Sequence, residues 1–231
     1  MANRPVYVPQ RTGNLVVSVR EIEFQWYPGM SKTQKQKSIT SLHDAAEKKG
    51  ISPVLEISSK SKEQIGVNLS AFNLKITTKV HKKTFSVECA FQGSKVFQRG
   101  GPYVDLLEKT AREAKKDIRL KESGNLIKFV FFNREFPLKP RTLFYDWLYI
   151  NALNQNESLA DEILKYSGFT DIEFNPKKSI NCQAYSAALF VSLSYSSLLK
   201  DALESPDAFA EVLSDVYRKR EKNYQIQASL I

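Results

Sequence analysis

The chain has 231 residues, 42% of them hydrophobic and 26% charged, enough to bury a core in one large domain or two small ones. Its net charge of +9, from 34 Lys and Arg against 25 Asp and Glu, favours polyanions such as nucleic acid, nucleotides or phosphates, although dispersed lysines are also ordinary in soluble proteins. Two distant cysteines and two histidines argue against a Cys/His zinc site and a disulfide framework; with no leading apolar segment and no run of about 18 apolar residues, neither a secretory signal nor a membrane span is expected, and a reducing cytoplasm is.

Val6 to Val8 and Leu15 to Phe24 read as short strands separated by a turn at Arg11-Thr12-Gly13-Asn14. Tyr27-Pro28-Gly29 breaks the chain. Ser31-Lys32-Thr33-Gln34 has the spacing of a capping box, in which the Ser hydroxyl and the Gln amide satisfy reciprocal backbone amides. The helix it opens runs to Gly50, a natural C-terminal stop. Ile39, Leu42, Ala45 and Ala46 make its thin apolar side, and Lys32, Lys35, Lys37, Lys48 and Lys49 its polar side. That polar side fits a solvated face or a ridge turned to nucleic acid.

Val54 to Ser58 is a short strand, and Val67 to Thr77 shows strand alternation at its end. His81 to Phe85 leads into Ser86–Lys95, which is read as a helix. Asp105 to Lys116 predicts a second helix, which ends at a basic stretch with Lys115, Lys116, Arg119 and Lys121. Leu126 to Phe132 reads as a buried strand from its aromatic and β-branched content, turned at Asn133-Arg134. Helices follow over Thr142 to Asn151 and Ser158 to Tyr166. A strand over Phe169 to Phe174 stops at Asn175-Pro176. Asn181 to Leu198 predicts a long, central helix rich in Ala and Ser. Ser205-Pro206-Asp207 opens one more, with a cap, a first-position proline and an acid at the positive end of the dipole. With no repeat, low-complexity stretch or flexible linker, the pattern predicts one α+β domain.

Few segments carry chemistry. Gly100-Gly101-Pro102 lacks the Lys-Ser/Thr of a phosphate loop, no GxSxG occurs, and Asp171/Glu173 is a weak candidate for metal. Read as a helix, SVECAFQGSK puts Glu88, Gln92 and Lys95 at i, i+4 and i+7 on one stripe beside Val87, Ala90, Phe91 and Phe97. A carboxylate, an amide and an amine beside buried aromatics suit acid/base or amine chemistry. The same stripe also fits a solvated face closed by an ordinary Glu–Lys pair.

VNLSAFNLKI followed by FSVECAFQGSKVF resembles the NADAR (YbiA-like) family. Leu69-Ser70-Ala71-Phe72 is similar to the family's LSNF-like strand, with Ala71 in place of the usual Asn. Ser86, Glu88, Gln92 and Lys95 match its S/T-x-E-x-x-x-Q-x-x-K helix. Ala114-Lys115-Lys116 resembles the family's Ala-Lys step, Trp147 its aromatic helix, and Thr170-Asp171-Ile172-Glu173 its late acidic strand. RPVYVP, EFQWYPGMSKTQKQKSI and FNPKKSINCQAYSAAL extend the likeness to NADAR antitoxins that sit beside a DarT-type DNA ADP-ribosyltransferase toxin. A Trp-Gly segment of other members is replaced by Phe174-Asn175-Pro176-Lys177-Lys178. The resemblance implies one NADAR-like domain over residues 1–231, with 1–60 as a family-specific extension packed on it.

It further implies cleavage of an N-glycosidic bond between ADP-ribose and guanine in DNA, reversing the toxin. ADP-ribosylated DNA is then the substrate, ADP-ribose the product and a DarT-type toxin the functional partner, with no cofactor and no metal. Such cleavage builds oxocarbenium character that a carboxylate stabilises. A neutral lysine can instead capture C1″ and hold the sugar as a Schiff base. The roles implied are Lys95 as nucleophile, Glu88 as general acid/base and Gln92 for the ribose hydroxyls. Ser70 and Phe72 line the ADP-ribose pocket. Trp147 is a stacking platform or a core residue, and Asp171 and Glu173 are ribose or catalytic contacts or surface acids. A small-molecule N-glycosidase and a non-catalytic module binding ADP-ribose, DNA or the toxin are the alternatives.

Overall fold

A computed structural model describes every residue except 14, 79, 81, 176–178, 230 and 231, with side chains as far as residue 221. In chain order the elements begin with β1 (Ala2–Pro9), β2 (Val17–Phe24), α1 (Lys32–Glu47), β3 (Val54–Glu56) and α2 (Gln64–Asn68). Next come β4 (Lys75–Thr77), β5 (Thr84–Ser86), α3 (Val87–Gly93) and β6 (Lys95–Phe97). A 3-10 helix at Val104–Glu108 precedes α4 (Ala111–Lys116), α5 (Arg119–Glu122), β7 (Leu126–Phe131), β8 (Arg134–Phe136), α6 (Leu143–Asn154) and α7 (Glu157–Ile163). The last elements are β9 (Gly168–Thr170), α8 (Gln183–Tyr195), α9 (Leu199–Ala202), α10 (Pro206–Val212) and α11 (Ser214–Ser229). The fold is α+β. The chain divides into two compact units, Met1–Asn73 with Asn156–Leu199, and Leu74–Gln155 with Lys200–Ile231.

The first unit is built on a mixed sheet in the order β2-β1-β9-β3. β1 and β2 pair antiparallel from Ala2 opposite Phe24 to Pro9 opposite Val17. Alternation along the strands turns Val6, Ile22 and Phe24 to one face, where α1 sets Ile39, Leu42 and Ala46 against them. Tyr7 faces the other way and meets Tyr185 of α8 edge-on at 5.6 Å. Burial on both sides explains why α8 is apolar nearly all round. Ser31 caps α1 by accepting the Gln34 N–H at 3.2 Å; the reciprocal Gln34 bond of a full capping box is absent. β3 runs parallel to β9 with Glu56 opposite Thr170, which carries a carboxylate into the interior.

The second unit holds the β4-β5 hairpin and a β6-β7-β8 meander. Lys95 opens β6 and pairs with Phe129 of β7. Phe91, Phe129, Phe136, Phe144 and Trp147 join in an aromatic file, with ring centroids 4.7–6.5 Å apart. The C-terminal α11, which the sequence pattern did not announce, is tied to α6 through Asp146. Thr142 Oγ1 and Tyr217 Oη donate to the Asp146 carboxylate at 2.7 and 3.2 Å, and the Arg220 guanidinium lies 3.6 Å away.

Several expectations are corrected. The helix read through Ser86–Lys95 stops at Gly93, because Ser94 caps it and then passes into the meander by accepting the Val130 N–H. Leu69–Phe72 is a turn rather than a strand, with the Ser70 hydroxyl and the Asn73 amide both on the Val67 carbonyl. The predicted helix at Asp105–Lys116 is two pieces, broken where Lys109 is extended and Thr110 starts a new capping box. β7 is half-buried, not buried, and turns at Phe132-Asn133, one residue earlier than expected. The late strand ends at Thr170, since the Asp171 carboxylate accepts from the Glu173 and Phe174 amides and curls the chain away. Asn14, His81 and residues 176–178, on which other expectations fell, lie outside the described residues.

Candidate active site

In the second unit, Ser86 caps α3 by accepting the Cys89 N–H at 3.1 Å, which fixes Glu88 in the first turn and Gln92 one turn on. Both are buried, with Glu88 only 5% exposed. Lys95 has left the helix, yet its side chain returns to it. Its Nζ donates to Gln92 Oε1 at 2.7 Å, and Gln92 Nε2 donates to Glu88 Oε1 at 2.8 Å. The structure thus brings together three of the expected residues, in a bonded row rather than a helical stripe. Both ends of the Gln92 amide are committed to this row.

The surroundings shape the amine. Lys95 Nζ stands 4.8 Å from the centroid of the Phe91 ring. Burial pulls its pKa down to about 8; Glu88 acts against that shift and Lys115 adds to it. Lys115, on α4, places its Nζ 3.7 Å from the same Glu88 oxygen that Gln92 holds. A lysine at about 10.4 is neutral a few times in ten thousand at pH 7, and one at about 8 roughly one time in ten. An amine in this environment can act as a nucleophile or as a base at neutral pH.

Trp147, also in this unit, packs edge-on to Phe131 and tilted against Phe136, at 6.2 and 5.2 Å. Its indole Nε1 is buried with no hydrogen-bond partner.

The first unit holds the other expected residues. Ser70 is buried and serves its own turn. Phe72 is half-buried beside it. Asp171 is joined to that turn by Gln183, which the sequence pattern missed. Gln183 Oε1 accepts the Ala71 N–H at 2.7 Å, and its Nε2 donates to Asp171 Oδ2 at 3.0 Å and to the Ile57 carbonyl at 2.7 Å. Glu173 instead pairs at 3.1 Å with Lys35, whose Nζ lies 5.1 Å from the Trp26 ring centroid.

Glu56 was also missed. It is 1% exposed and accepts the Thr170 hydroxyl at 2.7 Å and the Ile172 N–H at 2.9 Å, the residues on either side of Asp171. Burial raises the pKa of Glu56, and burial together with Glu56 pushes Asp171 up to about 8. His43 Nε2 lies 2.9 Å from the Thr170 hydroxyl, and burial lowers its pKa to about 4, so the ring there is neutral. Glu56 gave no sequence signal, since only the parallel pairing of β3 and β9 sets it opposite Thr170, next to Asp171.

Among the described residues no group of three or more His, Cys, Asp or Glu is placed to hold a metal ion, and no helix is long and apolar enough to cross a membrane. The model of the family described as DarT1-associated NADAR antitoxin matches residues 2–223. Comparison with curated proteins gave no match.

Proposed function

The chain belongs to the family of DarT1-associated NADAR antitoxins, and from that premise we propose that it hydrolyses the N-glycosidic bond joining ADP-ribose to guanine bases of DNA, undoing the modification made by its toxin. The observation that carries this reading is the lysine held at a pKa of about 8 in a bonded row with an amide and a buried carboxylate. The family's general association with N-glycosidic hydrolysis and the chain's net charge of +9 point the same way.

In the reaction proposed, the neutral Lys95 amine attacks C1″ of the ribose while the bond to guanine breaks and its electron pair leaves with the base. The proton lost by the amine goes to water and from there to Glu88, which supplies a proton to the departing guanine. The ribosylamine opens to a Schiff base. Water then adds, releases ADP-ribose and restores the lysine. Gln92 holds the two reacting groups apart so that they do not collapse into an ion pair, which would keep the amine charged.

The test is an oligonucleotide carrying ADP-ribose on guanine. Mass spectrometry of the products should find free ADP-ribose and unmodified DNA. Borohydride during turnover should fix an ADP-ribose adduct on the peptide containing Lys95. Intact substrate, with the oligonucleotide shown to be bound, rejects the hydrolase reading. Turnover by Lys95→Ala at the wild-type rate rejects the lysine route and leaves direct hydrolysis assisted by Glu88.

A further inference from the structure

Gly100-Gly101-Pro102, which lacks the residues of a phosphate loop, lies in the second unit against the backbone of Lys95. The Phe97 N–H donates to the Gly100 carbonyl at 2.7 Å and brings the chain back alongside β6. A Cβ on Gly101 would overlap the Lys95 carbonyl oxygen and stand 3.2 Å from the carbonyl carbon and 3.3 Å from Val96 Cα. Those are backbone atoms, so no rotamer change makes room for it. Gly101 also has φ +88, in the left-handed region. From β7 the same stretch is pinned by the pairing of Lys95 with Phe129 and by the Val130 N–H on the Ser94 carbonyl at 2.7 Å. The glycine segment meets the helix as well: a Cβ on Gly93, which follows Gln92 and ends α3, would stand 3.2 Å from the Tyr103 carbonyl oxygen. Tyr103 is anchored in turn by a hydroxyl hydrogen bond with Ser123 and by the Arg119 guanidinium, 4.4 Å from its ring centroid.

We infer that Gly101 is a positioning residue for Lys95: its missing side chain lets segment 100–103 lie against the strand that carries the amine while Tyr103 meets the helix end that carries Gln92, and so holds the one in reach of the other. This rests on the proposed function, since it names what keeps the reacting amine in place. Lys95 Nζ reaches Gln92 Oε1 at 2.7 Å from a different element. A working constellation of this kind is held to within about 0.5 Å. A side chain at Gly101 displaces the Lys95 peptide. The amine then leaves its buried place beside Phe91, regains water and returns from about 8 toward the ordinary lysine range. Gly101 brings no reacting group, so its replacement acts through the ionisation and reach of the lysine.

Competitive acetylation of Lys95 across pH, read by mass spectrometry of its peptide, measures the ionisation of the amine without substrate. Wild type should inflect at about 8. Gly101→Ala should move the inflection up by at least about one pH unit and, on the modified oligonucleotide at pH 7, lower kcat about tenfold with KM within about twofold of wild type. Gly93→Ala presses on the same segment from the helix and demands only a few tenths of an ångström. It should fold and lower kcat about two- to threefold, with the inflection moved the same way. Gly50→Ala carries the left-handed cost alone, at φ +78 with no atom within 4 Å of the new Cβ, and should leave inflection and kcat unchanged. A wild-type inflection in folded Gly101→Ala overturns the inference. If that variant fails to unfold cooperatively, Gly93→Ala decides: a moved inflection upholds the inference and a wild-type one overturns it. An inflection moved by Gly50→Ala also overturns it, since strain anywhere in the fold would then suffice. Failure of the hydrolase reading looks different: the modified oligonucleotide stays intact with wild type while the inflections still separate the variants.

Discussion

Lys95 and Glu88 sit at opposite ends of one amide: Gln92 accepts from the amine at 2.7 Å and donates to the carboxylate at 2.8 Å. An amide in that place lets the carboxylate influence the lysine without locking it in the charged form through direct contact. Burial then prevails, and the lysine pKa stays at about 8 although an acid is two bonds away. Because Lys95 stands on a strand and the other two on a helix, the row depends on the helix ending at Gly93.

Gln92→Glu tests that arrangement. It places a carboxylate directly against the amine and should return the lysine to its ordinary range or above it. Wild-type hydrolysis is expected to rise with pH and level off above about 8, because the neutral amine is the reactive form. In the variant the rise should move up by at least about one pH unit, and the rate at pH 7 should fall about tenfold or more. A pH–rate profile on the modified oligonucleotide measures both. An unmoved profile means that the ionisation of Lys95 does not govern the rate.

How much of this was legible in the sequence depended on the range of the interaction. Local signals held: Ser31 and Ser205 cap helices as their spacing announced, and β1 and β2 form their hairpin. Glu88, Gln92 and Lys95 were identified as a group, but by a helical count that runs through Gly93 and Ser94, where the chain leaves the helix. The count succeeded because a lysine side chain is long enough to reach back. The Leu69–Phe72 turn was hidden because its apolar residues look like a strand, while what decides it is Ser70 and Asn73 bonding to one carbonyl. Glu56 and Gln183 left no trace, since sheet pairing and helix docking bring them to Asp171 over long separations.

Lys115 gives a smaller and more screenable effect. Its Nζ is 3.7 Å from Glu88 but 57% exposed, so its pull on Lys95 works largely through water. Lys115→Gln should raise the apparent pKa of the lysine slightly and slow hydrolysis at pH 7 about two- to threefold at saturating substrate. In about 0.5 M salt the wild type and the variant should converge. A loss of tenfold or more that persists in salt assigns Lys115 to direct contact with the reacting group instead.

Glu56 and Asp171 make a prediction about stability. Both carboxyls titrate higher in the fold than in the unfolded chain, with Asp171 at about 8. The folded protein therefore holds an extra proton from about pH 4 upward, and stability from this pair is lost as pH rises toward about 8. Glu56→Gln removes one of the two ionisable groups and keeps an oxygen for the Ile172 N–H. Relative to wild type, the variant should gain about 1–2 kcal/mol between about pH 5 and pH 8. Urea unfolding across that range checks it. Parallel stability curves mean that the two carboxyls do not share a proton.

Asp146 is the anchor of the C-terminal helix. It is 1% exposed and receives Thr142, Tyr217 and the nearby Arg220 guanidinium, which is itself mostly buried. Asp146→Ala removes the buried carboxylate beside that cation and should cost about 3–5 kcal/mol. Tyr217→Phe removes one hydroxyl donor from that carboxylate and should cost about 1–2 kcal/mol. The two losses should not add, because both changes act on one carboxylate. Equilibrium unfolding gives the energies, and amide exchange over 214–221 should show the helix opening early in Asp146→Ala. A cost below about 1 kcal/mol for Asp146→Ala means that apolar packing at Val216 and the Tyr217 ring, rather than this carboxylate, holds the helix down.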